Sequence, residues 1–126
     1  MECLALHPKF HEIREECLSF PDHAEQLLQI YLDLTQAKDF ENVHVIKAPL
    51  LGRCLIEGTH PDNGLQYMIL PAHTSEEWSV AKMEFLFDAL QQEQDLRLKD
   101  AAKSKITIGL ITTDSTVTYL NLTRGL

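Results

Sequence analysis

The chain is poor in the residue patterns that announce a reactive centre. Its three cysteines, Cys3, Cys17 and Cys54, lie far apart and form no Cys-x-x-Cys pair. An odd, scattered set argues against a disulfide framework and against zinc ligation, and it points to reduced, mostly buried thiols. Cys17 and Cys54 sit among apolar neighbours, where a thiol packs as a small hydrophobe. No phosphate-binding glycine loop, dinucleotide fingerprint, nucleophile elbow or His-Glu-x-x-His run occurs, and no cofactor is expected. No apolar stretch approaches the ~18 residues that span a bilayer, and no basic-then-apolar leader opens the chain, so membrane insertion is not expected. Basic residues are scarce, 11 Lys and Arg against 19 Asp and Glu, for a net charge of −8. Such a chain repels phosphate backbones, which argues against autonomous nucleic-acid binding.

What is present fits one domain over residues 1–126, with the first six residues expected to be flexible. A chain of this length buries roughly two thirds of its unfolded surface. Phe10, Ile13 and Cys17 share one face of a helix expected over 7–19, which Pro21 interrupts. Asp22 with Glu25 makes a capping box for a second helix carrying Leu27, Leu28, Tyr31 and Leu32. Val43, Val45 and Ile46 start a strand, and Cys54, Leu55 and Ile56 another. Pro61-Asp62-Asn63-Gly64 is a turn, since proline presets φ and Asn and Gly tolerate positive φ. Leu65–Leu70 returns as a third strand that Pro71 ends. Thr74 with Glu77 makes a second capping box, opening a helix from Ser75 to Gln92. Trp78, Ala81, Phe85 and Ala89 line one face of it, and the polar residues 91–102 are expected to finish the helix and loop into the terminal hairpin. The order α, α, β, β, β, α, β, β predicts an α/β (α+β) domain with a mixed sheet packed against helices.

The closing hairpin is the most informative segment. Ile106, Ile108 and Leu110 alternate with Gly109 and Ile111, and Val117 and Tyr119 oppose Leu120 and Leu122. Strands apolar on both faces are central or await a partner, so the last strand is the expected docking edge. Tyr119→Asp is then expected to weaken association more than folding.

Candidate chemistry is sparse. His7 and His11 have the spacing of a two-histidine metal pair on a helix, but no third ligand accompanies them, so no metal site is expected. Tyr67, His73 and Lys82 carry acid–base chemistry, yet nothing in their spacing makes them converge. His44 and His60 stay unassigned. Arg97, Lys99, Lys103 and Lys105, against the single acid Asp100, read either as a solvated connector or as a phosphate-contacting patch.

A basic pair (Lys103, Lys105), the strand Ile106–Ile111, Asp114 in the turn, then Val117-Thr118-Tyr119 and Arg124-Gly125 follow one another in a set order. So arranged, they resemble the end of the C-terminal domain of the tRNA-splicing endonuclease (tRNA-intron endonuclease) family. His7-Pro8-Lys9-Phe10, Tyr31-Leu32-Asp33-Leu34 and Thr113–Val117 look like the smallest, non-catalytic subunits of its eukaryotic members, and the likeness spans residues 7–125. The resemblance implies a nuclease-like fold, of the restriction-endonuclease-like type, in a four-subunit complex that excises introns from precursor tRNA. Catalytic relatives use a tyrosine, a histidine and a lysine to cleave RNA without metal, leaving a 2′,3′-cyclic phosphate. The family histidine falls where this chain has Asn63-Gly64-Leu65. The tyrosine segment has no counterpart in the Thr59–Gly64 turn, and only Lys103 or Lys105 falls near the lysine.

The resemblance therefore implies a structural subunit with no catalytic residue, paired with a catalytic subunit as a heterodimer within a heterotetramer. Precursor tRNA is expected to be met only through the complex. The implied interface is Asp114, Ser115, Thr116, Val117, Thr118, Tyr119, Leu120, Asn121 and Leu122, with homodimer formation when isolated. The implied location is the nucleus, with the cytoplasm or the fungal mitochondrial surface as alternatives. Two other readings stay open: a divergent metal-independent RNA endonuclease using His60 with Lys103 or Lys105, and an unrelated dimerisation or regulatory module.

Overall fold

A computed structural model describes residues 8–103 and 105–123. Cys3, the His7–His11 pairing, the Arg124-Gly125 pair and the expected flexibility of the first six residues lie outside the described residues. A 3-10 segment, Pro8–Ile13, leads into α1 (Arg14–Ser19), and a second, Pro21–His23, into α2 (Ala24–Leu32), which continues as a π-helical turn over Asp33–Ala37. Then come β1 (Glu41–Ala48), β2 (Arg53–Thr59), β3 (Gln66–His73), α3 (Val80–Gln92), α4 (Leu96–Ala101), β4 (Lys105–Ile111) and β5 (Val117–Thr123). The strands form one five-stranded sheet in the order β1-β2-β3-β4-β5. Every pairing is antiparallel except β3 with β4, whose parallel register needs the crossover that α3 and α4 supply.

Helices cover both faces, which is why the strands are apolar at consecutive positions. On one side Leu28, Ile30 and Leu34 pack with Ile56, Ile69 and Ile111. On the other Leu86, Phe87, Leu90 and Leu98 pack with Leu55, Leu70 and Ile106. Gly109 lets α2 sit this close: a Cβ there would stand 2.8 Å from the Ile30 side chain. The mixed α/β sheet matches the sequence expectation, as does the Pro61–Gly64 turn, where Gly64 takes φ of +70°.

Four local expectations are corrected. Asp22 does not cap α2: Pro21 starts a 3-10 turn, closed by the His23 N–H on the Phe20 carbonyl at 3.1 Å, so Asp22 lies inside it. Thr74 and Glu77 open no helix, because Thr74–Ser79 has other partners. The Ser75 N–H bonds His73 Nδ1 at 3.0 Å, Glu76 is drawn to Arg53, and Ser79 caps α3 by accepting the Lys82 N–H. Pro71 does not end β3, which runs on to His73. The β2 ladder stops at Ile56–Ile69, so the missing N–H of Pro71 costs no bond on that side. Finally, residues 91–102 contain a helix of their own, capped by the Asp95 carboxylate and anchored by fully buried Leu98, while Phe85 is 58% exposed.

Candidate functional site

The two features singled out in the sequence lie at neighbouring parts of the sheet. The first is β5 itself. It occupies one end of the strand order, paired to β4 in an unbroken register from Lys105–Thr123 to Ile111–Val117. Val117–Thr123 contains no charged residue. Val117 and Tyr119 turn inward against the α2 layer, and Leu122 packs against the α3 layer. Thr118, Asn121 and Thr123 are exposed, as is Leu120 at 49%.

Tyr119 belongs to the domain's own packing. Its hydroxyl donates to Asp33 Oδ2 at 2.5 Å, and burial, then the Asp33 carboxylate, push the phenol pKa far up. This reverses the sequence expectation for Tyr119→Asp: a carboxylate there would face Asp33 inside the chain's own fold.

The turn before β5 is organised by Asp114. Its carboxylate accepts from the Thr112 hydroxyl and from the Thr116 N–H, the latter at 3.2 Å, and these bonds hold it below the usual carboxylate range. The Thr112 N–H closes the turn on the Thr116 carbonyl at 2.9 Å. Ser115, at φ +68°, is exposed with Thr116.

The second feature is the end of the sheet where β3 and β4 begin. The parallel register Ile69–Thr107 sets Tyr67 beside Lys105, whose ammonium lies 5.1 Å from the Tyr67 ring centroid. The β2–β3 turn brings His60 back to the same place, with its N–H on the Leu65 carbonyl at 2.9 Å. The His60 and Tyr67 rings are 6.0 Å apart, and Phe40 meets both, at 5.3 Å and 5.9 Å. The sequence reading paired His60 with Lys103 or Lys105; the structure brings Lys105 there and adds Tyr67, which that reading had not joined to them. The hairpin turn was the signal for His60; the parallel register that brings Lys105 has none.

The basic patch is only partly assembled. An open depression of about 610 Å³ is lined by Arg97 and Lys105, but also by Glu57 and Asp100. Arg97 donates to the Asp95 carboxylate through Nε at 3.1 Å and Nη2 at 2.8 Å, and that partner raises its pKa. Lys99 is half-buried and Lys103 exposed.

Other candidates are held elsewhere. Lys82 pairs with Glu76 at 2.7 Å and stacks over Trp78 at 4.6 Å. Glu76 also takes Arg53, 7% exposed, whose second guanidinium nitrogen donates to the Pro71 carbonyl at 2.6 Å. Burial pushes the Glu76 carboxyl up, but Arg53 and Lys82 together outweigh it and hold it low. His73 bonds Ser75, so Tyr67, His73 and Lys82 do not form a site. His11 and His44 are exposed. Among the described residues no group of three or more His, Cys, Asp or Glu is arranged to hold a metal, and no helix is long and apolar enough to cross a membrane.

Comparison with known proteins gives this arrangement its family. The tRNA-splicing endonuclease subunit Sen15 of Homo sapiens is 26% identical, over 97% of this chain and 70% of that protein. The subunit of the same name from Mus musculus is 25% identical over 97% of this chain and 71% of its own length. The family model described as Sen15 protein matches residues 29–126, the last turn of α2 and everything after it, and so the chain belongs to the Sen15 protein family.

Proposed function

We propose that this protein is a non-catalytic assembly subunit of a tRNA-splicing endonuclease, joined to a catalytic subunit through β5 as a heterodimer within a heterotetramer. The carrying observation is that β5 is a neutral, regular edge strand whose outer long side has no partner among the described residues. Such an edge presents a row of unpaired N–H and C=O groups, which another chain satisfies by adding a strand. Thr118 and Leu120 would meet that chain directly, with Asp114, Ser115 and Thr116 at its rim and Asn121 and Leu122 at its far end. Val117 and Tyr119 would hold the strand in place from within. When isolated, the chain is expected to cover the same edge by homodimerisation.

The non-catalytic part of the reading rests on how the sheet end is used. His60 Nδ1 accepts the Asp62 N–H, the Tyr67 hydroxyl accepts from the Asn63 amide, and Lys105 lies over the Tyr67 ring. These groups are engaged with one another and with Phe40. Precursor tRNA is then met through the complex, with Arg97, Lys99, Lys103 and Lys105 as candidate phosphate contacts on this subunit, and the protein works in the nucleus.

Affinity purification of the tagged protein from its own cells tests this. Stoichiometric recovery of a splicing-endonuclease catalytic subunit, from the nuclear fraction, is the expected result. Stable assemblies free of any nuclease subunit would overturn the assembly role. Cleavage of intron-containing precursor tRNA by the isolated chain in chelator, lost in His60→Ala, would overturn its non-catalytic character.

A further inference from the structure

Where the π-helical turn ends at Ala37, the helical layer stops short of the sheet. Asp39, at φ +56°, carries the chain away to β1, and a cleft lies between Lys38, Phe40 and the ends of β3, β4 and β5. The cleft measures about 280 Å³. Its floor is Leu34 and Ile69, and its walls are the rings of Phe40, Tyr67 and Tyr119.

The polar groups at this cleft share one character. Buried Thr107, 6% exposed, donates its hydroxyl to Asn121 Oδ1 at 2.8 Å, which leaves the Asn121 amide NH₂ to serve the cleft. His60 accepts the Asp62 N–H on Nδ1 at 3.1 Å, so the neutral ring carries its proton on Nε2 and donates there. The Tyr67 hydroxyl accepts from Asn63 and keeps its own proton to give. Lys38 is exposed and has no carboxylate partner among the described residues. The lining therefore offers an ammonium and three neutral donors, and it contains no carboxylate, in a chain whose acids outnumber its bases 19 to 11.

Aromatic walls select a flat ring; an ammonium and neutral donors with no carboxylate beside them favour an anionic partner. We infer that this cleft binds a nucleotide, its base stacked among Phe40, His60 and Tyr67 and its phosphate held by Lys38. Base stacking on aromatic side chains is the usual device of single-strand recognition and does not require a basic protein overall. The chemistry serves equally a free nucleotide or one unpaired nucleotide of an RNA strand. It adds a contact made by this chain itself to the assembly role, and it does not depend on β5 having a partner.

Amide shifts of the isolated chain, titrated with uridine monophosphate at millimolar concentration, test the assignment. Saturable shifts at Lys38, Phe40, His60, Tyr67 and Asn121 are expected, with ribose 5-phosphate and uridine each weaker than the nucleotide. Lys38→Glu, at an exposed position, is expected to weaken binding about tenfold through loss of a charge-assisted bond and gain of a like charge, with melting temperature unchanged. A uridine trinucleotide binding more tightly than the monomer identifies an RNA strand as the source; equal affinity identifies the free nucleotide. No shifts, shifts confined to Arg97–Lys105, or binding indifferent to Lys38→Glu would each overturn the nucleotide cleft. None of these outcomes touches co-purification with a nuclease subunit, so the two readings fail separately.

Discussion

The two edges of the sheet are built in opposite ways. β1 carries Glu41, His44 and Lys47, and its ladder with β2 slips by one residue between Glu41 and His44, a bulge in which Asn42 takes φ +51°. Lys47 is tied to Glu15 of α1 at 2.7 Å. Charge, a bulge and a tethered helix are the devices by which sheets keep their edges from pairing with other chains. β5 has neither the charge nor the bulge: it is seven residues, uncharged and in regular register, and its tie to the helical layer, Tyr119 on Asp33, lies on its inner face. The proposed docking through β5 rests on this contrast between a protected edge and a plain one. The contrast is a stronger argument for docking than hydrophobicity, because β5 spends Val117 and Tyr119 on its own core.

Giving β5 the protection of β1 is the sharpest way to break this comparison. Thr118→Lys with Leu120→Lys places two charges on exposed positions of the edge. Association, as homodimer or with the catalytic subunit, is expected to fall about 100-fold or more, near 2.8 kcal/mol at 1.4 kcal/mol per decade. Because both positions are exposed, thermal stability should move by no more than about 1 kcal/mol. Sedimentation and melting of the same sample separate the two quantities. Unchanged association would mean that β5 is not where the partner sits.

The inner face of β5 sharpens the comparison at a smaller scale. Tyr119→Phe removes the hydroxyl bond to Asp33 and keeps the ring, so stability should drop by about 1.5–3 kcal/mol, the range for a hydrogen bond to a charged group. Association should stay as in the parent, since that hydroxyl faces α2. A loss in association matching that of the lysine pair would move Tyr119 to the interface.

Much of this architecture was legible in the chain because two buried faces leave a plain mark: Cys54-Leu55-Ile56 and Ile108–Ile111 run without a polar residue where a one-sided strand would alternate. Pro61–Gly64 fixed the β2–β3 hairpin by backbone chemistry alone. What stayed hidden depends on partners distant in sequence. Thr74 and Glu77 have the spacing of a cap, yet Glu76 between them is claimed by Arg53, 23 residues earlier. Residues 91–102 look like a linker because α4 buries little besides Leu98 and Ala101. The cleft walls come from the helical turn's end, the hairpin and all three terminal-side strands. No local pattern encodes the parallel register that brings Lys105 to Tyr67.

Acid offers the gentlest probe of the two edges, and the sign can be worked out. Glu15 beside β1 and Asp114 before β5 are both held below their ordinary range, by the hydrogen bond and charge of Lys47 and by the hydrogen bonds of Thr112 and Thr116. A carboxylate with a depressed folded-state pKa contributes order that is complete above its unfolded value, near 3.9 for Asp, and is lost as pH falls through the folded value. As pH falls below about 3.9 and through the lowered folded-state pKa, the Thr116 amide should therefore lose protection from exchange as Asp114 protonates. The amides of Val117–Thr123 should hold on to lower pH, because the strand contains no carboxylate to titrate. On the other side, protonating Glu15 frees Lys47 and leaves the bulge of β1 in place, so the protected edge should not begin to self-associate. If Asp114 titrated at or above its ordinary value, the turn would owe its order to something other than that carboxylate. If β5 opened together with the turn, its plainness would reflect weak pairing rather than readiness for a partner.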